Sequence, residues 1–468
     1  MSILPQLKLS LQEIFNLLMS KVTSFNIDIL TTTISDEFDK LKISTIVNLI
    51  EMIDEDYKNS KQRKRIFKIH DYRTRTLITS VGEITFKTTY YERKKKDPAL
   101  PDYYCYILDI LEIESRARMT NEAVTKLIDL NVQNTSIYAA KKLGVSKMTV
   151  SNKMRKINMF YSTPEKTKNT PKTIYIEADE KWIKKQYGAK IGNRTPSIMT
   201  KIVLIHEGYD ERLSTKKRKV LLNKHYISSS KLNPSDFWHL VFDYLDKKYD
   251  LSVVENIFIS SDGGGWIETC CEVFHKAKTV LDKFHCNKAM TYIFGKKKIK
   301  KIAMEYLKAK RTDDFNILVE LEIQESPHKE QYMREKANYL INHIDNIINQ
   351  DDEAYKVVCS MEGHVSHVLA SRMASRPKAF CDSTIEGYVQ ALTAKANKIT
   401  LTPQLLKYNK YYDVQDIVNN IKKSIYTKTK KIKLKDIKPD QSYLEARGYI
   451  PGLTGPSATS HYLRHLIK

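Results

Sequence analysis

The sequence predicts a mixed α/β fold, and three observations carry that expectation. Between residues 173 and 285, short runs rich in Ile, Val, Tyr and Phe alternate with segments of helical spacing, the pattern of a sheet flanked by helices. The stretches on either side carry the longer apolar period of helices. Two of the apolar runs end on a carboxylate: Asp179 near the end of TIYIEADEKW and Asp262 in NIFISSDGGGW. An acidic group at the end of a buried strand is costly unless a positive charge meets it.

Composition narrows the partner. The 468 residues carry a formal net charge of +23, with a sequence pI near 9.4. Such an excess of Lys and Arg favours a polyanion, either nucleic acid or an acidic membrane surface. No run approaches the ~20 apolar residues that span a bilayer. The opening MSILPQLKLSLQEIFNLLMSKV mixes charges among its apolar residues and reads as an amphipathic helix rather than a signal peptide. Nucleic acid is therefore favoured, no membrane is expected, and the expected location is the cytoplasm. Cys105, Cys270, Cys271, Cys286, Cys359 and Cys381 include no C-x-x-C pair, so reduced thiols are expected instead of a zinc ribbon.

The elements follow in chain order. Leu11, Ile14, Phe15 and Leu18 share one helical face, as do Ile43, Ile46, Val47, Ile50 and Ile53. Residues 1–70 are expected to be mostly helical and to include the basic patch Lys61, Arg63, Lys64 and Arg65. LITSVGEITFKTTYYER, two alternating runs joined around Gly82 and Glu83, predicts a β-hairpin, with helix again over 106–130. Residues 134–157 predict a helix-turn-helix. Ile137, Ala140 and Lys141 lie on its first helix, Gly144 supplies the turn, Val145 fills the corner and Ser146 caps the second helix. That second helix carries Lys147, Thr149, Ser151, Asn152, Lys153 and Arg155, side chains that reach phosphates and base edges in a major groove. An ordinary αα-hairpin is the plain alternative. Residues 71–165 are thus expected to be a DNA-binding region, ending in the polar linker STPEKTKNTPKT.

Beyond the linker, TIYIEAD, PSIMTKIVLIHEGYD and RKVLLNKHYI predict three strands in a meander. PSDFWHLVFDYLDKKYD predicts a helix, with Pro234 at its start and Phe237, Leu240, Val241 and Leu245 on one face. NIFISSD is a fourth strand, WIETCCEVFHKA a short helix and KTVLDKFH a fifth strand. Three strands in a meander, then a helical crossover to a fourth and fifth, is the element order of a ribonuclease H-like core. Its first part is expected over 166–285 as a mixed five-stranded sheet. Residues 286–358 read as a helical insertion, 359–400 as the rest of the core and 401–468 as a basic C-terminal region.

The candidate chemistry rests on carboxylates. Two acidic groups at one sheet edge repel, and a divalent cation relieves them. Asp179 and Asp262 would then serve two-metal phosphoryl transfer with Mg²⁺, or Mn²⁺ in its place. A third ligand is expected from Glu362, which opens a helix after the insertion, with Glu386 in STIEGYVQ as its competitor. Either glutamate could simply favour a helix N-terminus. Asp282 and His285 form an Asp-x-x-His unit that would support the site; the plain alternative is a surface aspartate and a buried, hydrogen-bonded histidine. Lys296, Lys297, Lys298, Lys300 and Lys301 are either a solvated helix face or contacts to a DNA backbone.

YIEADEKW, SSDGGGWI, LDKFH and EGHVSHVLASRMASRP, together with GEITFKTTYYER and the closing YIPGL, resemble the ISLre-two family of bacterial insertion-sequence transposases. That family is similar to Mutator-type transposases, which have an Asp-Asp-Glu site on a ribonuclease H-like core interrupted by helices. The resemblance implies Asp179, Asp262 and Glu362 as catalytic metal ligands and matches Asp282 with His285 to a (Cys/Asp)-x-x-His signature. One departure is Phe380, where a tryptophan is expected. The implied activity is DNA transposition. Water attacks a phosphodiester at the element end, and the freed 3′-hydroxyl then attacks target DNA. The implied partners are double-stranded terminal repeats and target DNA, bound by a homo-oligomer. A catalytically retired DNA-binding protein and a structure-specific nuclease are the rival readings.

Overall fold

The computed structural model describes residues 12–13, 15–16, 19–20, 26–95, 101–157, 164–186, 195–295, 298–375, 378–399 and 401. They form two compact units that divide between Met154 and Arg155.

In the first unit, α1 (Ile27–Asn59) starts where the Asn26 side chain accepts the Asp28 N–H at 2.8 Å. Its Ile50 is buried with Leu77, Ile84, Phe86 and Ile107, so one core runs across residue 70. Buried Asp54 stitches the same helix to the hairpin, accepting the N–H and hydroxyl of Thr89 at 2.9 and 2.7 Å. After α2 (Lys61–Ile66), β1 (Phe67–Thr79) and β2 (Gly82–Arg93) pair antiparallel, and β3 (Tyr103–Tyr104) adds to β2. The hairpin turn is Ser80–Val81, not Gly82–Glu83, because Thr79 pairs with Gly82. Gly82, at φ +140°, takes the backbone that closes the turn.

Helix over 106–130 is interrupted. α3 (Tyr106–Ile110) stops before Glu112, which has φ +49°, and α4 (Asn121–Gln133) starts afresh under the Thr120 cap. α5 (Ser136–Lys142) and α6 (Lys147–Arg155) follow, joined through Gly144 at φ +64°. Ser146 accepts the Thr149 N–H at 3.1 Å and so caps α6.

The second unit is built on a sheet of β4 (Thr173–Lys184), β5 (Ser197–His206), β6 (His225–Ser229), β7 (Asn256–Ser261) and β8 (Ala277–Leu281). The spatial order is β6-β5-β4-β7-β8, with β4, β7 and β8 parallel and β5 antiparallel to both its neighbours. The third strand is shorter than its apolar run. Asn223, at φ +52°, breaks it, and Leu221 pairs with Tyr209 instead. α7 (Pro234–Lys248) makes the crossover from β6 to β7. It covers one sheet face, where Ile174, Ile176, Val203 and Ile259 pack with its Phe237, Trp238 and Val241. The short α8 (Gly265–Glu268) adds Trp266 to that core.

Five helices follow: α9 (Lys283–Phe294), α10 (Ile299–Lys308), α11 (Thr312–Glu325), α12 (Glu330–Asn342) and α13 (Ile344–Ile348). They share a core of their own, including Met290, Phe294, Leu307, Phe315, Leu340 and Ile347. The chain then returns to the sheet through α14 (Met361–Val365), a π turn over Ser366–Ala370, and α15 (Asp382–Ala396). No described helix is long and apolar enough to cross a membrane.

Candidate active site

Strand pairing brings the two aspartates together. β4 and β7 run parallel from Thr173 opposite Asn256 to Glu177 opposite Ser260. Two residues further along each chain are Asp179 and Asp262. Asp262 sits on the turn after β7, where its Oδ1 accepts the Gly264 N–H at 3.1 Å. Asp179 accepts the N–H of Glu180 at 2.7 Å. Burial pushes the Asp179 carboxyl up to about 6. The Glu180 N–H works against that shift, while the negative charges of Asp262 and Glu180 add to it and His285 opposes it. This edge of the sheet therefore holds more negative charge than its surroundings balance.

Asp282 lies just past the end of β8 and is the N-cap of α9: its Oδ1 accepts the Phe284 N–H at 3.1 Å. Its Oδ2 lies 2.9 Å from His285 Nδ1. That hydrogen bond, more than the charges of Asp282, Asp262 and Asp179, raises the imidazole's pKa against the effect of burial. Protonation of this imidazole is favoured by the two aspartates as well as by Asp282.

Glu362 is exposed, one residue into α14. Its helix is tied to β4 by an acid that sequence reasoning passed over, Glu177, which shares a strand face with Asp179 two residues away. Glu177 is fully buried and accepts the Ser360 N–H at 2.8 Å and the Ser360 hydroxyl at 3.0 Å. His206 on β5, equally buried, brings Nε2 to 3.3 Å from it. On the same strand face, Tyr175 donates its hydroxyl to Ala354 O at 2.9 Å. Tyr209 accepts the Val358 N–H at 2.9 Å. The returning segment is thus laid along β4 by side chains until α14 begins. Cys359 then feels the charges of Glu177, Asp282 and Asp179, which with burial push its thiol upward.

Glu386 is placed differently. It is buried on α15 and accepts from Ser229 Oγ (3.2 Å), Ser230 N (2.7 Å), Ser230 Oγ (2.6 Å) and Gln390 Nε2 (2.8 Å). Phe380, at the position of the expected tryptophan, is buried; its backbone bridges to Lys185 and its ring meets Tyr388 edge-on at 5.0 Å.

Hard carboxylate oxygens with excess negative charge fit a divalent cation such as Mg²⁺. Asp179 and Asp262 supply that chemistry. Among the described residues, no three His, Cys, Asp or Glu side chains gather closely enough to hold a metal ion. Sequence reasoning also missed Tyr339 of α12 and His343 just after it, which lie against the Asp262 turn. Their spacing of four is the only signal, and it reads as an ordinary helix face. Trp266 is buried and donates to Glu180 at 2.5 Å, whereas Trp182 is exposed.

On α6, Lys147, Asn152 and Arg155 are exposed, and Thr149, Ser151 and Lys153 are half-buried. Arg155 donates to Ser383 Oγ at 3.0 Å. Of the lysine run, Lys298 and Lys301 are exposed, and Lys300 donates to Thr291 Oγ1 at 2.8 Å; Lys296 and Lys297 lie outside the described residues.

The profile of the uncharacterised protein family UPF0236 matches residues 21–405. The chain belongs to this family. A UPF0236 protein of Caldanaerobacter subterraneus subsp. tengcongensis is 30% identical over 375 residues, covering 78% of this chain and 76% of the relative. A second UPF0236 protein of that organism, under a name that joins eleven loci, is 29% identical over 362 residues, covering 75% and 74%. Among solved structures, this UPF0236 chain is similar to the Drosophila P element transposase strand transfer complex at 11% identity, covering 66% of this chain and 94% of that one, with a TM-score of 0.24.

Proposed function

We propose that this UPF0236 chain is the DNA transposase of an insertion sequence of the ISLre-two type. It cuts the element's ends and joins the 3′-hydroxyls to target DNA. The observation that carries the reading is the juxtaposition of Asp179, within β4, and Asp262, on the turn after β7, each two residues past the last parallel pair of those adjacent strands, with the Asp179 carboxyl pushed up by burial and by its acidic neighbour. The strand order, with a meander on one side and two parallel strands on the other, supports a ribonuclease H-like core. Relatives that recur at many loci of one genome support a mobile element.

In this reading Asp179, Asp262 and Glu362 hold two Mg²⁺ ions, or Mn²⁺ in their place. When bound, the ions supply activation of the attacking oxygen and stabilisation of the leaving oxygen. Asp282 orients His285 and favours its protonated form, which would place a hydrogen-bond donor toward the non-bridging oxygens of the scissile phosphate. Lys147, Thr149, Ser151, Asn152 and Lys153 of α6 read the terminal repeats as the second helix of a helix-turn-helix. Lys298 and Lys301 contact the DNA backbone. Two ends must be held together, so the protein acts as a homo-oligomer on DNA in the bacterial cytoplasm.

The test uses labelled DNA carrying the element's own ends, with Mg²⁺ and the full chain. End-specific strand joining is the expected result. Binding without cleavage would point to a DNA-binding protein, and cleavage by structure without joining to a nuclease; either overturns the reading.

A further inference from the structure

The turn that carries Asp262 is held from outside the sheet. Tyr339 Oη donates to the backbone carbonyl of Asp262 itself at 2.6 Å. The next residue, Gly263, has φ +84° and lies flat against His343: a Cβ there would stand 2.6 Å from Nε2 and 2.8 Å from Cε1. Side-chain room and backbone conformation both require glycine at this point. His343 is itself buried, and Tyr339 meets it edge-on at 5.0 Å.

The histidine ring is fixed from behind. Asn346 Nδ2 faces its Nδ1 at 3.2 Å, and Asn346 Oδ1 accepts the hydroxyl of Thr279, a residue of β8, at 2.5 Å. From within, the turn is held by Gly263 N to Ser261 Oγ at 3.2 Å and Gly264 N to Asp262 Oδ1 at 3.1 Å. A carboxylate on a turn past the end of a strand has backbone freedom that one within a strand lacks. Here every residue from 261 to 264 is anchored, and the outer anchors come from α12 and the residue after it.

We infer that Tyr339 and His343 are positioning residues that fix the Asp262 carboxylate, so that the helical block is a working part of the site and not a mere insertion. This rests on the transposase reading above. A displaced metal ligand weakens the site even where the fold survives, and residues behind such ligands typically change metal affinity or activity by roughly 10- to 100-fold.

Tyr339→Phe removes one oxygen and keeps the ring on His343. In the full-length variant, Mn²⁺ binding followed by electron paramagnetic resonance should weaken about tenfold. The Mg²⁺ concentration giving half-maximal end cleavage should rise by about the same factor, with the melting temperature and end binding retained. A second pair of variants tests the contact without touching Tyr339. Gly263→Ala should lose cleavage, and His343→Ala alone should raise the Mg²⁺ requirement about tenfold, because the ring that Gly263 packs against is gone. Asp262→Asn separates the two levels of the argument. Should Asp262→Asn lose Mn²⁺ while Tyr339→Phe binds it and responds to Mg²⁺ like the wild type, the inference falls and the transposase reading stands. Mn²⁺ binding and cleavage undiminished in Asp262→Asn overturn both.

Discussion

Two sets of carboxylates lie along the same five-stranded sheet, Glu386 of α15 against β6 and Asp179 with Asp262 at β4 and β7, and they are treated in opposite ways. At the β6 edge, Glu386 accepts four hydrogen bonds, from Ser229, Ser230 and Gln390, and its charge also acts on Lys201. A carboxylate offers about four lone-pair sites, so Glu386 has none left to lend. At the centre of the sheet, between β4 and β7, Asp179 accepts one backbone N–H, faces a second aspartate and is pushed toward protonation. Glu386 is buried and Asp179 half-buried, but the larger difference is the provision of donors. A buried acid surrounded by donors holds the fold together, whereas one set against a like charge is poised for something that arrives from outside.

The sharpest way to break that comparison is to remove one charge at each place. Asp179→Asn or Asp262→Asn keeps the side chain's shape and should lower cleavage and joining by at least roughly 10²–10³-fold, with end binding retained. Glu362→Gln should behave like them. Glu386→Gln should instead act on stability, because an amide N–H₂ is turned toward donors; about 1–3 kcal/mol is expected in urea unfolding, with joining per folded molecule preserved. If Glu386→Gln were inactive at wild-type stability while Glu362→Gln remained active, the third ligand would be Glu386, and a full set of hydrogen bonds would not mark a structural acid.

Glu177 extends the contrast to a single strand, since it and Asp179 lie two residues apart on one face. Glu177→Ala leaves the Ser360 N–H and hydroxyl without their acceptor in a buried setting. A loss of about 2–4 kcal/mol in unfolding free energy is expected, and Ser360→Ala should cost about 1–2 kcal/mol. An unchanged midpoint in Glu177→Ala would mean that the returning segment is held by Tyr175 and Tyr209 alone.

These particulars also show what the sequence could and could not say. The strands at the centre of the sheet were legible because burial on both faces leaves near-continuous apolar runs. Asp179 and Asp262 stood out because each interrupts such a run at its end. Glu177 interrupts the same run, and nothing local separates it from Asp179; its donor Ser360 is 183 residues further on. Asp282 was expected to close the fifth strand, but it caps α9, and a short polar residue between a strand and a helix serves either purpose. Tyr339 and His343 look like any helix face until the Asp262 turn is placed against them. The hairpin turn and the short third strand shifted for a local reason, the positive φ values of Gly82 and Asn223.

The smallest expected effect tests the electrostatic half of the comparison directly. In the metal-free protein, folding raises the Asp179 carboxyl from 3.8 to about 6. The folded state then holds the proton more tightly than the unfolded chain, so ionising Asp179 opposes folding. Its contribution to stability is full below about pH 4 and is lost as pH rises through about 6. Asp179→Asn removes that loss. With chelator present, the variant should be more stable than the wild type at pH 7.5 and lose this advantage toward pH 4. A shift of two units sets an upper bound near 3 kcal/mol; because the carboxyl is only half-buried, about 1–2 kcal/mol is the figure to expect. Divalent metal should narrow the gap at pH 7.5 by stabilising the wild type alone. An equivalent Glu386→Gln measurement should show no gain at any pH, since the amide N–H₂ is turned toward the Ser229, Ser230 and Gln390 donors. A destabilised Asp179→Asn at pH 7.5 would mean that the aspartate pair is as fully satisfied as the β6 edge, and the contrast between them would be lost.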